Sequence, residues 1–167
     1  FPILKLADGT VMNQCAAILR FVGSLTDSYP VDPVQRFNVD HVMELVNECR
    51  GDIQPTMYGL SVPALEGEEG QKTKDMIKKS FRENYGAGKW QQRKENFLAA
   101  LKKSGGAYFA NGKVSIADYQ VYSVVHWLGC GVLDGIDTTV CPGPEIAEWK
   151  AKFEASFETP WVPTKPQ

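Results

Sequence analysis

Apolar and polar positions follow two regimes along this chain. At the start, two short apolar runs, Phe1-Pro2-Ile3-Leu4-Lys5-Leu6 and Thr10-Val11-Met12, flank Ala7-Asp8-Gly9. An Asp-Gly pair between β-like runs predicts a hairpin, because glycine takes positive φ without a Cβ clash. Asn13 to Phe21 then reads as a helix opening on small and polar residues. A polar connection from Ser24 to Pro33 carries Tyr29-Pro30 and Asp32-Pro33, pairs that favour extended backbone and stop a helix. Beyond it the period lengthens. Val39, Val42, Met43, Val46 and Cys49 recur with the spacing of an amphipathic helix. Asp32 suits its N-cap and Pro33 its first helical position.

The pattern breaks at Pro55, Gly59, Pro63 and Gly67, which predicts a fraying helix end followed by a loop. Further helices are predicted over Lys72 to Tyr85, Trp90 to Lys103, Val114 to Leu128 and Glu145 to Phe157. Gly86-Ala87-Gly88 separates the first two, Gly105-Gly106 ends the second, and Cys141-Pro142-Gly143-Pro144 forms a loop. Val114 to Leu128 is the most apolar and belongs at a buried centre. It opens on Ser115-Ile116-Ala117-Asp118, a capping box in which Asp118 reaches back to the Ser115 N–H while the Ser115 hydroxyl takes the N–H three residues on. The tail from Thr159 to Gln167 holds three prolines and is expected to be irregular. The fold class is mostly α, an α+β chain with one small β unit at its start.

A chain of 167 residues is one domain by size, or a small domain with part of another. No apolar run approaches the length of a membrane span. Cys15, Cys49, Cys130 and Cys141 show no Cys-x-x-Cys pair and no metal-like spacing with His41 or His126, so no metal is expected. Unpaired thiols fit a reducing compartment, and the cytoplasm is the default location. The net charge of −2 hides an asymmetry: ten of the eighteen Lys and Arg lie between Lys72 and Lys103, against Asp75, Glu83 and Glu95. That stretch reads either as a solvated helix face or as a docking face for an acidic partner. With an acidic overall balance and no binding motif, nucleic acid is not an expected partner.

Two motifs carry a family resemblance. Pro2-Ile3-Leu4, then Asp8-Gly9, then Gln14-Cys15-Ala16-Ala17-Ile18-Leu19-Arg20-Phe21, resemble the second half of the thioredoxin-like domain of cytosolic glutathione S-transferases, with the closest likeness to the sigma-like branch. About a hundred residues on, Gly112-Lys113-Val114-Ser115-Ile116-Ala117-Asp118 resembles the family's Gly-x-x-Ser/Thr-x-Ala-Asp motif in the helical domain. The resemblance implies the C-terminal half of a thioredoxin-like domain over 1–24, a linker over 25–33, an all-helical domain over 34–158 and the irregular tail over 159–167. The chain opens inside a strand without an initiator methionine, so the first half of the thioredoxin-like domain is expected upstream.

The same resemblance implies glutathione as substrate and transfer of its thiol to an electrophile. Phe1 and Pro2 would present backbone to the cysteinyl part through a cis peptide; an ordinary trans proline opening an edge strand is the alternative. Gln14 and Cys15 would hold the γ-glutamyl carboxylate at a helix N-terminus. The family has serine where this chain has Cys15, and a thiol is the weaker donor. Glu48 would reach the glutathione amino group across a homodimer, or else belongs with Glu44 to a solvated helix face. Ser115 and Asp118 would be structural. The family's thiol-activating Tyr, Ser or Cys has no counterpart here, so no catalytic residue is expected in this chain. The alternative function is a non-catalytic structural or docking subunit, held by a partner protein that covers the edge of the first strand.

Overall fold

The hairpin and the apolar stripe of the first long helix reappear in a computed structural model, which describes residues 2–58 and 67–157. Strands β1 (Ile3–Lys5) and β2 (Val11–Asn13) pair antiparallel, Ile3 opposite Asn13 and Lys5 opposite Val11. Asp8 Oδ1 accepts from Thr10 N at 2.8 Å in the turn between them. Helices α1 (Cys15–Leu25), α2 (Pro33–Ile53), α3 (Pro55–Tyr58), α4 (Gly67–Ala87), α5 (Lys89–Lys103), α6 (Ile116–Gly129) and α7 (Pro144–Ala155) follow. The chain is mostly α, as a partial thioredoxin-like unit joined to a helical domain requires.

Local chemistry explains the ends. Asp32 Oδ1 accepts from Val34 N at 3.1 Å and Gln35 N at 2.8 Å, so the free amides at the start of α2 are capped. The end of α5 is closed by Gly106 N donating to Leu101 O at 2.8 Å and Gly105 N to Lys102 O at 3.2 Å, the paired bonds of a Schellman motif. Helix α4 starts five residues earlier than the apolar pattern suggests. Glu68 and Glu69 occupy its first turn, where the helix dipole favours anions. Lys72 Nζ pairs with them at 3.1 and 3.2 Å. The same helix runs on through Gly86, which is buried and packs beside Cys141. Gly88 alone falls between α4 and α5. The expected loop across 59–66, and the tail beyond Phe157, lie outside the described residues.

Contacts divide the chain into two units. The first takes residues up to Asp52 together with Glu95–Ser123. Its core contains Val39, Val42, Met43 and Val46 of α2, Phe97 of α5, Phe109, and Ile116, Ala117 and Val121 of α6, all buried. Gly23 of α1 lies against this core: a Cβ there would sit 2.6 Å from Ile116 Cγ2 and 2.9 Å from Tyr29 Cβ. The central polar feature is Asp118, fully buried. Its Oδ1 accepts from Phe109 N at 2.8 Å, and its Oδ2 accepts from Ser115 N at 2.8 Å and Ser115 Oγ at 2.9 Å. The Ser115 hydroxyl thus donates to the carboxylate, while the Asp118 N–H is taken by the Ser115 carbonyl at 3.1 Å. Burial raises the Asp118 pKa above 3.8, although the bonds from Phe109 and Ser115 pull it down.

The second unit takes Ile53–Lys94 and the residues from Val124 onward. Ile53, Trp90, Val125, Leu128, Ile146 and Trp149 are buried in it. Arg82 of α4 holds three places together. Its Nε donates to Thr56 Oγ1 at 3.0 Å, Nη2 to Thr56 O at 3.2 Å, and Nη1 to Asp134 O at 3.2 Å. On α6, burial and then the charge of Lys150 lower the His126 pKa below its usual 6.5, with Glu154 opposing.

Asp118 and His126 each carry an expected outcome. Asp118→Asn turns one acceptor oxygen into a donor facing a backbone N–H, so it should destabilise the chain by about 1–3 kcal/mol in urea unfolding; a change within a few tenths would show that the carboxylate is dispensable. For His126 the folded pKa lies below the unfolded one, so its contribution is present above 6.5 and is lost as pH falls through the folded value. The urea midpoint of the wild type should therefore drop on acidification below 6.5 by more than that of His126→Gln.

Candidate functional site

A hairpin that feeds directly into a helix gathers its two ends. Because Ile3 pairs with Asn13, the residue before β1 and the residue after β2, Pro2 and Gln14, lie at the same end of the hairpin. Paired Cα atoms in such a ladder are about 5 Å apart. Gln14 is the N-cap of α1, with φ 72° and ψ 110° and no side-chain capping bond. The first helical bond runs from Ile18 N to Gln14 O at 3.0 Å. The amides of Cys15, Ala16 and Ala17 therefore precede the ladder, and no acidic side chain stands in this first turn. Cys15 is exposed, with a free thiol. Backbone donors plus the positive end of a helix dipole suit a carboxylate.

Among the residues singled out from sequence, the hairpin register brings together Pro2, Gln14 and Cys15. Phe1, and with it the Phe1–Pro2 peptide, lies outside the described residues. Glu48 is exposed on α2. Ser115 and Asp118 sit at the start of α6 in the buried network already described. No group of His, Cys, Asp or Glu among the described residues is arranged to hold a metal. Likewise, no helix among them is long and apolar enough to cross a membrane.

Sequence reasoning missed what fixes α1 in place. Arg20 Nε of α1 donates to Asp40 Oδ1 of α2 at 2.9 Å, and Tyr29 OH donates to Asp40 Oδ2 at 2.8 Å. Arg36 lies over the Tyr29 ring at 5.1 Å and donates to Pro30 O at 3.1 Å. Burial, then the Asp40 carboxylate, raises the Tyr29 phenol above its usual 10.0. The only hint in the sequence is the basic residue of the Arg20-Phe21 pair; its acidic partner is twenty residues away. Also missed was a cleft of about 540 Å³ within the first unit, floored by Val42 and Phe109 and edged by Asn38, His41, Lys103 and Asn111. Its hollow comes from the small side chains of Ala99 and Ala100, which leave no mark in an amphipathic pattern.

The family model described as glutathione S-transferase, C-terminal domain, matches residues 61–157, more than half of the chain. No curated protein matches the chain. Among solved structures, a monomeric glutathione S-transferase from the hookworm Necator americanus aligns with TM-score 0.65 and 20% identity, over 93% of this chain and 69% of that one. The structure of prostaglandin synthase D of Nilaparvata lugens aligns with TM-score 0.63 and 22% identity, over 91% and 73%. A possible glutathione S-transferase from Rhodopseudomonas palustris aligns with TM-score 0.61 and 20% identity, over 100% and 70%. At these identities the structures establish a shared fold.

Asp40→Ala would leave a guanidinium and a phenol without their common acceptor. Since the Arg20 and Asp40 side chains are each 33% exposed, water softens the loss. The expected cost is about 1 kcal/mol in denaturant unfolding, with Tyr29→Phe in the same background adding little more.

Proposed function

The chain belongs to the glutathione S-transferase family, and from that premise we propose that it forms the γ-glutamyl and cysteinyl side of a glutathione site at the end of its hairpin. The observation that carries this reading is the start of α1. Its leading amides have no side-chain cap and no acidic neighbour, and they lie at the same end of the hairpin as Pro2. The γ-glutamyl carboxylate would take the amides of Cys15 and Ala16 and the Gln14 carboxamide. The peptide of Phe1 and Pro2 would meet the cysteinyl backbone.

Cys15 makes this seat weaker than its serine equivalent, since a thiol donates poorly. The backbone amides are indifferent to that exchange. Glu48 would serve the amino group of glutathione bound to the other subunit of a homodimer. Transfer to an electrophile needs a hydroxyl that stabilises the thiolate, and in this family that group would come from residues outside this sequence. With it, the protein acts as a glutathione transferase.

Titration calorimetry of the 167-residue chain with reduced glutathione tests the site. Saturable binding is expected, tightened about fivefold by Cys15→Ser through one better hydrogen bond. No conjugation of a standard electrophile is expected from the chain alone. Absent binding, or an affinity that Cys15→Ser leaves unchanged, would remove glutathione from the start of α1.

A further inference from the structure

Asn111-Gly112 is the one Asn-Gly pair in the chain, and it makes a turn. Both residues have positive φ, 55° and 68°, and Lys113 N donates to Ala110 O at 3.4 Å. This is the pattern of a type I′ turn, which Asn-Gly favours. The Asn111 carboxamide is engaged at both of its polar atoms. Oδ1 accepts from Asn38 Nδ2 at 3.0 Å, and Nδ2 donates to Gln35 O at 2.8 Å. Both partners lie on α2, so the side chain fastens the turn to that helix along one edge of the cleft.

We propose that Asn111 is a deamidation site whose reaction is gated by release of this turn from α2. The Gly112 backbone nitrogen gives up its proton and attacks Asn111 Cγ. A new N–C bond closes a succinimide ring, the Cγ–Nδ2 bond breaks, and Nδ2 leaves as ammonia carrying that proton. Water then opens the ring at either carbonyl, giving aspartate or isoaspartate. Nothing is oxidised or reduced, and water is the sole co-reactant. Glycine has no Cβ to obstruct the attack.

In the folded turn, Cγ cannot swing toward Gly112 N while both polar atoms stay bonded to α2. The reaction therefore draws on molecules whose turn has opened, and its observed rate scales with the open fraction. The product does not fit the place it came from. An aspartate keeps an acceptor for Asn38 but sets a carboxylate oxygen against the Gln35 carbonyl, where a donor stood. Isoaspartate in addition lengthens the backbone inside a tight turn. The change is one-way, and it leaves a negative charge in place of a neutral carboxamide on the cleft edge, detached from α2.

The experiment incubates the whole chain in buffer and in concentrated urea at the same mildly alkaline pH. Peptide mapping by mass spectrometry follows residue 111, with the Asn84 and Asn96 peptides as internal references. Modification at Asn111 should be about tenfold slower in buffer than in urea, and in urea faster than at either reference. Asn38→Ala, checked for folding by circular dichroism, should raise the buffer rate about fivefold and leave the urea rate unchanged. If that variant does not fold, the wild-type comparison decides alone. Equal wild-type rates in buffer and urea would overturn the proposal. So would faster loss at Asn84 or Asn96 in urea, or a folded Asn38→Ala that reacts no faster than wild type.

Discussion

The buried carboxylate of Asp118 is the constraint on which the first unit depends. It accepts from Phe109 N, Ser115 N and Ser115 Oγ, and so fixes where α6 begins and where the preceding loop must lie. Phe109 is buried beside Phe97, ring centroids 6.0 Å apart, so the loop's position is also a packing position. Ile116 follows the cap directly, and against it lies Gly23 of α1. The Ile116 N–H donates to Ser28 O at 3.0 Å, which ties the connection after α1 to the same point. The helix whose leading amides have no side-chain cap is thus seated on the residue next to the buried cap. A charge in a low-dielectric place is costly unless its lone pairs are used. Here three donors serve it.

Much of the fold was legible because its signals are local. The hairpin follows from Asp8-Gly9 between two short runs, the start of α2 from Asp32-Pro33, and the core face of α2 from one stripe of valines with Met43 and Cys49. The nearness of Pro2 to Gln14 was legible for the same reason, since both flank the ends of a three-pair ladder. What was not legible depends on residues distant in sequence. Nothing about Asp40 in isolation says that it receives both Arg20 and Tyr29, and nothing about Ala99 or Ala100 says that they line a hollow. Helix ends were misjudged where charge rather than apolar period decides them, as at Glu68 and Glu69.

The cationic stretch from Lys72 to Lys103 changes character once its neighbours are known. Lys72 is shared between Glu68 and Glu69, Lys78 lies 3.7 Å from Asp75, and Arg82 is spent on hydrogen bonds within its own unit. Acids just upstream of the stretch, at the beginning of α4, offset part of the excess that a count between two residue numbers exaggerates. Pairs this exposed contribute little stability, but they do flatten the local field.

Arg82 shows a different use of charge. Its guanidinium meets the hydroxyl and carbonyl oxygens of Thr56 and the carbonyl of Asp134. The joint is therefore one of shape. A planar fork reads oxygens in two segments, the residues of α3 and the loop holding Asp134, at angles that a single ammonium on a flexible stem does not reproduce. Those oxygens do not titrate near neutral pH, and dipoles near a cation are screened far less by salt than distant charges are, so the hydrogen bonds of Arg82 depend little on acidity or ionic strength.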